Sequence, residues 1–448
     1  MQQASEQNYS RLPHDILVTI CERLDSPSAL SSFALCSQSS YVIAVPCLYR
    51  KVKLLSTAGQ TRFAYAVALQ QGKEGLARHV TSLEVPFPDT RSGCVDWHTA
   101  LLLMTLMRCP AIKSLSLIRP QRDLDAFICT QADINTVSAL VSATQNLLDL
   151  TINFAPKNSS PYDPIQCYWG KTRYTFSAQN STIPQEAAPS YKHDHLVFPR
   201  PLTDQLARLR SFCLVAGVDL GWKILVHCLG PSLRSLHLSL PLSGDAYLEQ
   251  VAQTSPYLES FTLNTASSAQ VTDTSLSIFA KKCGGTLKRL AISHLITPEP
   301  GNIEPSAQLR PFASLATHCR QLEELHLGEG VPLSVEDLET LLGPSGMPLR
   351  TLSLQSAGPV SHFGQKASRE RTTQLTSQLV KRLGSTLQDI SLAKSVVYAN
   401  DDFLNACAQL VELQSHEVQL SATVSPSSID ALLSTKPILK SSLCFQGL

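Results

Sequence analysis

The residue types best suited to chemistry in this chain are its histidines and cysteines. His193 and His195 flank Asp194, and two imidazoles beside a carboxylate can ligate a metal ion. They stand in a stretch rich in Ser, Pro, Asn and Gln, where a solvated charged loop accounts for them far better than a metal site. No metal and no cofactor are therefore expected. The 13 cysteines are odd in number, spread over 448 residues, and form no C-x-x-C pair. The opening MQQASEQNYS is polar and lacks the apolar stretch of a secretory signal. Reduced thiols in the cytoplasm or nucleus are the expectation. No H-E-x-x-H, G-x-S-x-G, Walker phosphate loop or G-x-G-x-x-G occurs, so no enzyme is expected. Charged residues make up 16% of the chain and its formal net charge is +1, which argues against nucleic acid or anionic membrane as partners. No apolar run approaches the length of a membrane span.

A second chemistry is hydrogen bonding by short polar side chains set two residues apart. Such pairs are Ser211 and Cys213, Ser235 and His237, Ser260 and Thr262, and Arg289 and Ala291. They continue as Glu324 and His326, Thr351 and Ser353, and Asp389 and Ser391. Residues two apart on a strand share a face. These pairs are expected on the open, concave face of a sheet, as a small, polar and nearly uncharged column. Ser235, His237, Ser260, Thr262, Arg289, Glu324, His326, Thr351 and Ser353 are the candidate contacts to a protein partner, recognised by hydrogen bonds and shape; small residues relieving crowding on an inner curve is the alternative reading of the column.

The element that positions them is a recurring L-x-x-L-x-L. It reads VTSLEV at 80, IKSLSL at 112, LLDLTI at 147, LRSFCL at 209, LRSLHL at 233 and LESFTL at 258. It returns as LKRLAI at 287, LEELHL at 322, LRTLSL at 349 and LQDISL at 387, with LVELQS at 410 a poorer match. Helical periodicity fills the intervals, as in SLSIFAKKC at 275 and PFASLATHC at 311. One strand plus one helix cannot bury its own Leu face, and stacking such units makes a continuous core. A Ser/Pro/Asn/Gln-rich insertion at 155–200, with Tyr168 and Trp169 among its aromatics, is expected to be disordered. Shorter insertions at 297–308 and 358–373 also break the rhythm.

The unit Val271–Cys283, followed by Leu287, Leu290 and Ile292, resembles the cysteine-containing leucine-rich repeat, in which a Cys closes the helix ahead of the next strand. Cys109, Cys228, Cys283, Cys319 and Cys407 stand three to five residues before a strand's first apolar position. A small, weakly polar thiol suits a buried corner, so a structural role is expected for them.

The front of the chain follows a different pattern. Ile16, Leu17, Ile20, Cys21 and Leu24 make one apolar stripe of a short helix, with Pro13 in its first turn and Asp15 complementing its positive end. Ser26 reads as an N-cap and Pro27 as the first residue of a second helix bearing Leu30, Phe33, Ala34 and Leu35. A third helix is predicted over Tyr41–Leu48. Three helices in so few residues make a marginal core that gains from a partner.

Leu12-Pro13, Ile16-Leu17, Ile20, Leu24, Leu30, Phe33, Leu35, Ala44 and the closing Pro46, Leu48, Tyr49 and Arg50 resemble the F-box over 11–54. Where that family carries Trp or Phe, four residues before Ala44, this chain has Ser40, with Tyr41 beside it as a substitute. The resemblance implies an α/β fold in two parts: a small all-α N-terminal F-box followed by a leucine-rich-repeat solenoid. The organisation it implies is a flexible tail at 1–10, the F-box at 11–54, a connecting helix or linker at 55–78, and the solenoid at 79–448. It also implies a non-catalytic substrate receptor that joins a cullin–RING ubiquitin ligase through a Skp-family adaptor. The adaptor contacts carried over are Leu12, Pro13, Ile16, Leu17, Ile20, Leu24, Leu30, Phe33 and Leu35, the last two serving either the adaptor or the module's core. Truncating an anchor such as Leu12 or Ile16 is expected to cost about 2–5 kcal/mol. An interaction scaffold of the same two parts, with no role in ubiquitin transfer, is the alternative.

Overall fold

A computed structural model describes residues 13–24, 26–54, 56–69, 75–87, 97–118, 131–153, 199–215, 224–239 and 245–264. It also describes 272–294, 311–330, 347–354, 374, 377–378, 380–382, 386–392, 401–409, 415–418 and 425–435. Leu12, the His193–His195 group and the insertion at 155–198 lie outside the described residues.

Three helices open the chain: α1 (His14–Arg23), α2 (Pro27–Ala34) and α3 (Gln38–Arg50). Ser26 Oγ accepts the Ala29 N–H at 3.1 Å, which satisfies one of the orphan donors of α2, and Pro27 takes the first position. Pro13 stands just outside α1 and not in its first turn. Its ψ of 145° is extended, while its carbonyl accepts the Ile16 and Leu17 N–H groups at 3.1 and 3.2 Å. The third helix is longer than its apolar spacing predicts because Ser37 caps it upstream, its Oγ accepting the Ser40 N–H at 3.0 Å. Leu17, Cys21, Leu30, Ala34, Ile43 and Ala44 form the core of the three helices, with Val18, Leu24, Phe33, Cys47 and Leu48 packed against it.

The sheet starts sooner than the motif predicts. Lys51–Lys53 is a strand, β1, paired parallel to β2 (Ser82–Pro86) with Lys51 opposite Ser82. Between them lie α4 (Thr57–Leu69) and a 3-10 turn at Leu76–His79. There follow α5 (Trp97–Arg108), β3 (Ser114–Ile118), α6 (Gln131–Ser142), β4 (Asp149–Asn153) and α7 (Arg200–Leu206). The next elements are β5 (Ser211–Val215), α8 (Ile224–His227), β6 (Ser235–Ser239), α9 (Asp245–Thr254), β7 (Ser260–Asn264) and α10 (Asp273–Cys283). The chain continues with β8 (Arg289–His294), α11 (Pro311–His318), β9 (Glu324–Gly330), β10 (Thr351–Leu354) and β11 (Asp389–Leu392). Last come α12 (Asp401–Ala408), β12 (Ser415–Val418) and α13 (Pro426–Thr435). None of the described helices is long and apolar enough to cross a membrane.

Two compact units divide the chain. The first gathers Met1–Arg119, Gln131–Thr151 and Phe198–Gln205, and the second Pro120–Thr130, Ile152–Val197 and Leu206–Leu448. In the first, β1 pairs β2 and β2 pairs β3, all parallel. In the second, β5 to β12 pair in chain order, again all parallel. A parallel strand-and-helix repeat of leucine-rich type thus builds both.

From β2 to β11 every strand begins two residues after the first apolar residue of its L-x-x-L-x-L. The Leu positions are buried and face the helices, as the rings of Phe261 on β7 and Phe279 on α10 show at 4.6 Å between centroids. The last strand departs from the pattern. It begins at Ser415, opposite Asp389, three residues later than LVELQS would place it. Among the described residues β12 is paired on one side only, so packing constrains its register less.

The corner cysteines occupy the expected places. Cys109, Cys283, Cys319 and Cys407 are buried and Cys228 is half-buried. Cys283 Sγ donates to the Ser255 carbonyl of the preceding repeat at 3.6 Å. Burial pushes the Cys109 thiol up to about 11 and those of Cys283 and Cys319 up to about 12, so all three are protonated at neutral pH.

Candidate functional site

Two surfaces carry the candidate residues. The first is the outer side of the three-helix module. Leu17 and Leu30 point into the module's own core, and Leu24 and Phe33 pack against it. Pro13 is exposed, Ile20 is half-buried, Ile16 is 46% exposed and Leu35 is 87% exposed. The core is therefore complete without Ile16, Ile20 and Leu35, and these apolar side chains remain for another surface. Adjacent Ile16 and Leu17 are alike in sequence. The helix turns about 100° between them, and here that turn carries Ile16 out to 46% exposure while Leu17 is buried in the core.

The second surface is the sheet face opposite the buried Leu positions, in the second unit. Register aligns two rows across it. One runs Ser211, Ser235, Ser260, Arg289, Glu324, Thr351, Asp389, Ser415. The other runs Cys213, His237, Thr262, Ala291, His326, Ser353, Ser391, Glu417. All nine candidate contacts fall in these two rows. Thr262 and Ser353 are buried, and Ser235, His237, Ser260, Arg289, Glu324, His326 and Thr351 are half-buried.

The rows are not evenly neutral. Their charges are gathered in one row, where Arg289 on β8 stands opposite Glu324 on β9 and Asp389 on β11 stands opposite Thr351 on β10. Arg289 Nε stands 3.2 Å from Glu324 Oε2, an ion pair too poorly aligned to be a hydrogen bond. His326 Nε2 is 3.7 Å from the same oxygen, so that contact is electrostatic and not a formed hydrogen bond. His326 and then Arg289 hold the Glu324 carboxyl below its ordinary range, against the effect of burial. Asp389 behaves oppositely. Burial pushes its carboxyl up and the Glu324 charge adds to this, while a bond from Thr351 Oγ1 at 3.4 Å and the nearby His326 counteract it. Burial, aided by Arg289, lowers the His237 imidazole to about 4, so it is neutral at physiological pH. Ser353 Oγ and both ring nitrogens of His326 are buried with no hydrogen bond among the described residues.

A third row, one residue ahead of the strands, escaped the motif. Arg234, Glu259, Lys288, Glu323 and Arg350 alternate in sign. Glu259 meets Lys288 at 2.9 Å and Arg234 at 3.9 Å, and Glu323 meets Arg350 at 3.9 Å. These groups are solvent-exposed, so each pair contributes little stability and acts mainly on register. Reading one column of the repeat for sign would have found it.

No family model matches the chain, and no curated protein matches it. Solved structures align with it. A chain in the crystal structure of the Rad7 and Elc1 complex in yeast aligns over 97% of this chain and 90% of its own length, at 14% identity and a TM-score of 0.45. The leucine-rich repeat-containing protein LegL7 from Legionella pneumophila aligns over 86% of this chain and 98% of its own, at 13% identity and a TM-score of 0.35. The TLR13–ssRNA13 complex aligns over 88% of this chain and 39% of its own, at 12% identity and a TM-score of 0.32. None of these likenesses, at such identities and scores, carries a residue role to this chain.

Proposed function

We propose that the chain is a substrate receptor of a Skp–cullin–F-box ubiquitin ligase. The three-helix module docks the Skp adaptor and the sheet face of the repeats holds a protein substrate. The receptor does no covalent chemistry. It raises the concentration of substrate near the charged ubiquitin-conjugating enzyme. The observation that carries the reading is the pairing of a satisfied core with spare apolar residues on one small module. Leu17, Cys21, Leu30, Ile43 and Ala44 fill the interior, while Pro13, Ile16 and Leu35 stay outside it. Exposed anchors on a helix are what a partner's groove takes up. The resemblance of Leu12-Pro13 through Arg50 to the F-box supports the Skp adaptor as that partner.

The test is retention of purified Skp adaptor and cullin by the full chain, compared with a Leu12→Ala/Pro13→Ala pair and with Ile16→Asp. Intact protein is expected to retain both, and each variant to weaken adaptor binding at least about tenfold, the loss that a buried anchor typically produces. Failure of the intact chain to retain the adaptor overturns the reading and leaves a leucine-rich scaffold. Adaptor binding without ubiquitin transfer to a captured protein favours the scaffold role within an adaptor complex.

A further inference from the structure

We infer that Asp389, Glu324 and Ser353 form a docking site for a basic side chain, arginine or lysine, presented by a partner protein. The inference deepens the receptor reading, in that the partner is the substrate that reading requires.

Four strands build the site. Arg289 on β8, Glu324 on β9, Thr351 on β10 and Asp389 on β11 stand opposite one another in register. The single positive charge of Arg289 is committed to Glu324 at 3.2 Å. Asp389 receives only the Thr351 hydroxyl at 3.4 Å and has no cation within ion-pair distance among the described residues. One negative charge on this half-buried row is left uncompensated, and an isolated carboxylate away from bulk water is costly.

An independent observation lies in the next row. Ser353 is 3% exposed, and its hydroxyl bonds nothing among the described residues. It follows Thr351 by two positions, so it shares that residue's face. His326, opposite Ser353, has two buried ring nitrogens in the same condition. Buried polar atoms are nearly always bonded, and the Ser353 hydroxyl, which can accept, beside an uncompensated carboxylate marks a place where a ligand supplies donors.

The sign of the ligand follows from the charges. An anion would meet the two negative charges of Glu324 and Asp389, against one positive charge on Arg289 that faces Glu324 at 3.2 Å without a formed hydrogen bond. A neutral amide would satisfy Ser353 and leave the Asp389 charge as it is. A guanidinium or ammonium supplies several N–H donors and a positive charge together, enough for the Asp389 carboxylate and the Ser353 hydroxyl. The column read from sequence as recognising its partner by neutral hydrogen bonds therefore has a charged centre.

The probe is an array of ten-residue peptides, random except for a fixed central Arg, Lys, Gln or Glu, with full-length protein applied at low salt. The Arg or Lys pool is expected to bind at least about tenfold better than the Gln pool and the Glu pool worst, with the preference shrinking at high salt. Asp389→Asn keeps the shape and removes the charge, and it should erase most of the preference. Ser353→Ala leaves both carboxylates and should reduce it by a smaller factor, so the site stays testable if the Asn variant melts early. Equal binding of the four pools, preference for Glu, or an unchanged preference in a well-folded Asp389→Asn protein overturns the inference. Adaptor retention, measured on the same preparations, separates the two claims. Adaptor binding without basic preference sinks the site alone, and basic preference without adaptor binding sinks the receptor reading alone.

Discussion

His237 sits between Cys213 and Thr262 in its row, half-buried and neutral. Its imidazole is lowered from the ordinary 6.5 to about 4, first by burial and then by Arg289. The folded state therefore refuses a proton that the unfolded chain accepts. Above pH 6.5 both states are neutral and the stability is fully present. Between pH 6.5 and 4 the unfolded chain binds the proton and stability falls, levelling off below 4. At about 1.4 kcal/mol per unit the whole window is worth at most about 3.5 kcal/mol. Denaturation midpoints at pH 7 and pH 4.5 should differ less for His237→Gln than for the intact protein, and parallel pH profiles would refute this account. Ser40 is another residue whose environment explains its identity. It is 3% exposed, its N–H and Oγ both bonded to Ser37 Oγ in the first turn of α3. Tyr41, which the resemblance offered in place of the family's aromatic, is 54% exposed and does not fill that site. Here a capping pair closes the helix start where the family places a ring.

At the level of elements, helices are tied to their successors by carboxylates at their first residues. Asp245 opens α9 and accepts the Thr272 N–H at 2.7 Å, Thr272 Oγ1 at 2.8 Å and Ser275 Oγ at 2.5 Å. Thr272 is the N-cap of α10 and makes no cap bond with its own side chain, so the preceding helix supplies it. The device recurs where Asp401 opens α12 and accepts the Ser425 N–H and hydroxyl at 2.8 and 3.1 Å ahead of α13. Asp245→Ala leaves the start of α10 uncapped and should cost about 1–3 kcal/mol. Faster amide exchange confined to the first turns of α10 is the expected signature, and unchanged exchange there would refute the capping role. Strands β2 to β11 were legible in sequence because each Leu must be buried and each strand repeats the demand. Strand β1 was not, since Lys51-Val52-Lys53 carries no such pattern and its stability comes from pairing with a strand some thirty residues on. The charged centre of the face was half legible. Arg289, Glu324, Thr351 and Asp389 were each placed on the open face, but they lie 35, 27 and 38 residues apart in sequence. Only register, not periodicity, makes them neighbours.

On the scale of the whole molecule, the repeats make their contacts with their neighbours, strand against next strand and helix against next helix. Stability in such an array is close to a sum of repeat and nearest-neighbour terms, so damage should stay local. Gly328 on β9 is a place to test this. It lies opposite the bulge of β8 between Ile292 and His294, where the two backbones approach closely. A Cβ there would stand 2.6 Å from Ser293 Cα and 2.8 Å from the Ser293 carbonyl oxygen. Both are backbone atoms that cannot swing aside, so Gly328→Ala forces β8 and β9 apart at about 1–3 kcal/mol. Amide exchange should quicken in β8, β9 and the helices next to them, while α1 to α3 keep their protection. Adaptor retention by the variant should be unchanged and its capture of basic peptides reduced, because Arg289 and Glu324 lie on the two disturbed strands. Loss of protection spread evenly over both units would show that the chain unfolds as one cooperative body and would overturn the nearest-neighbour account.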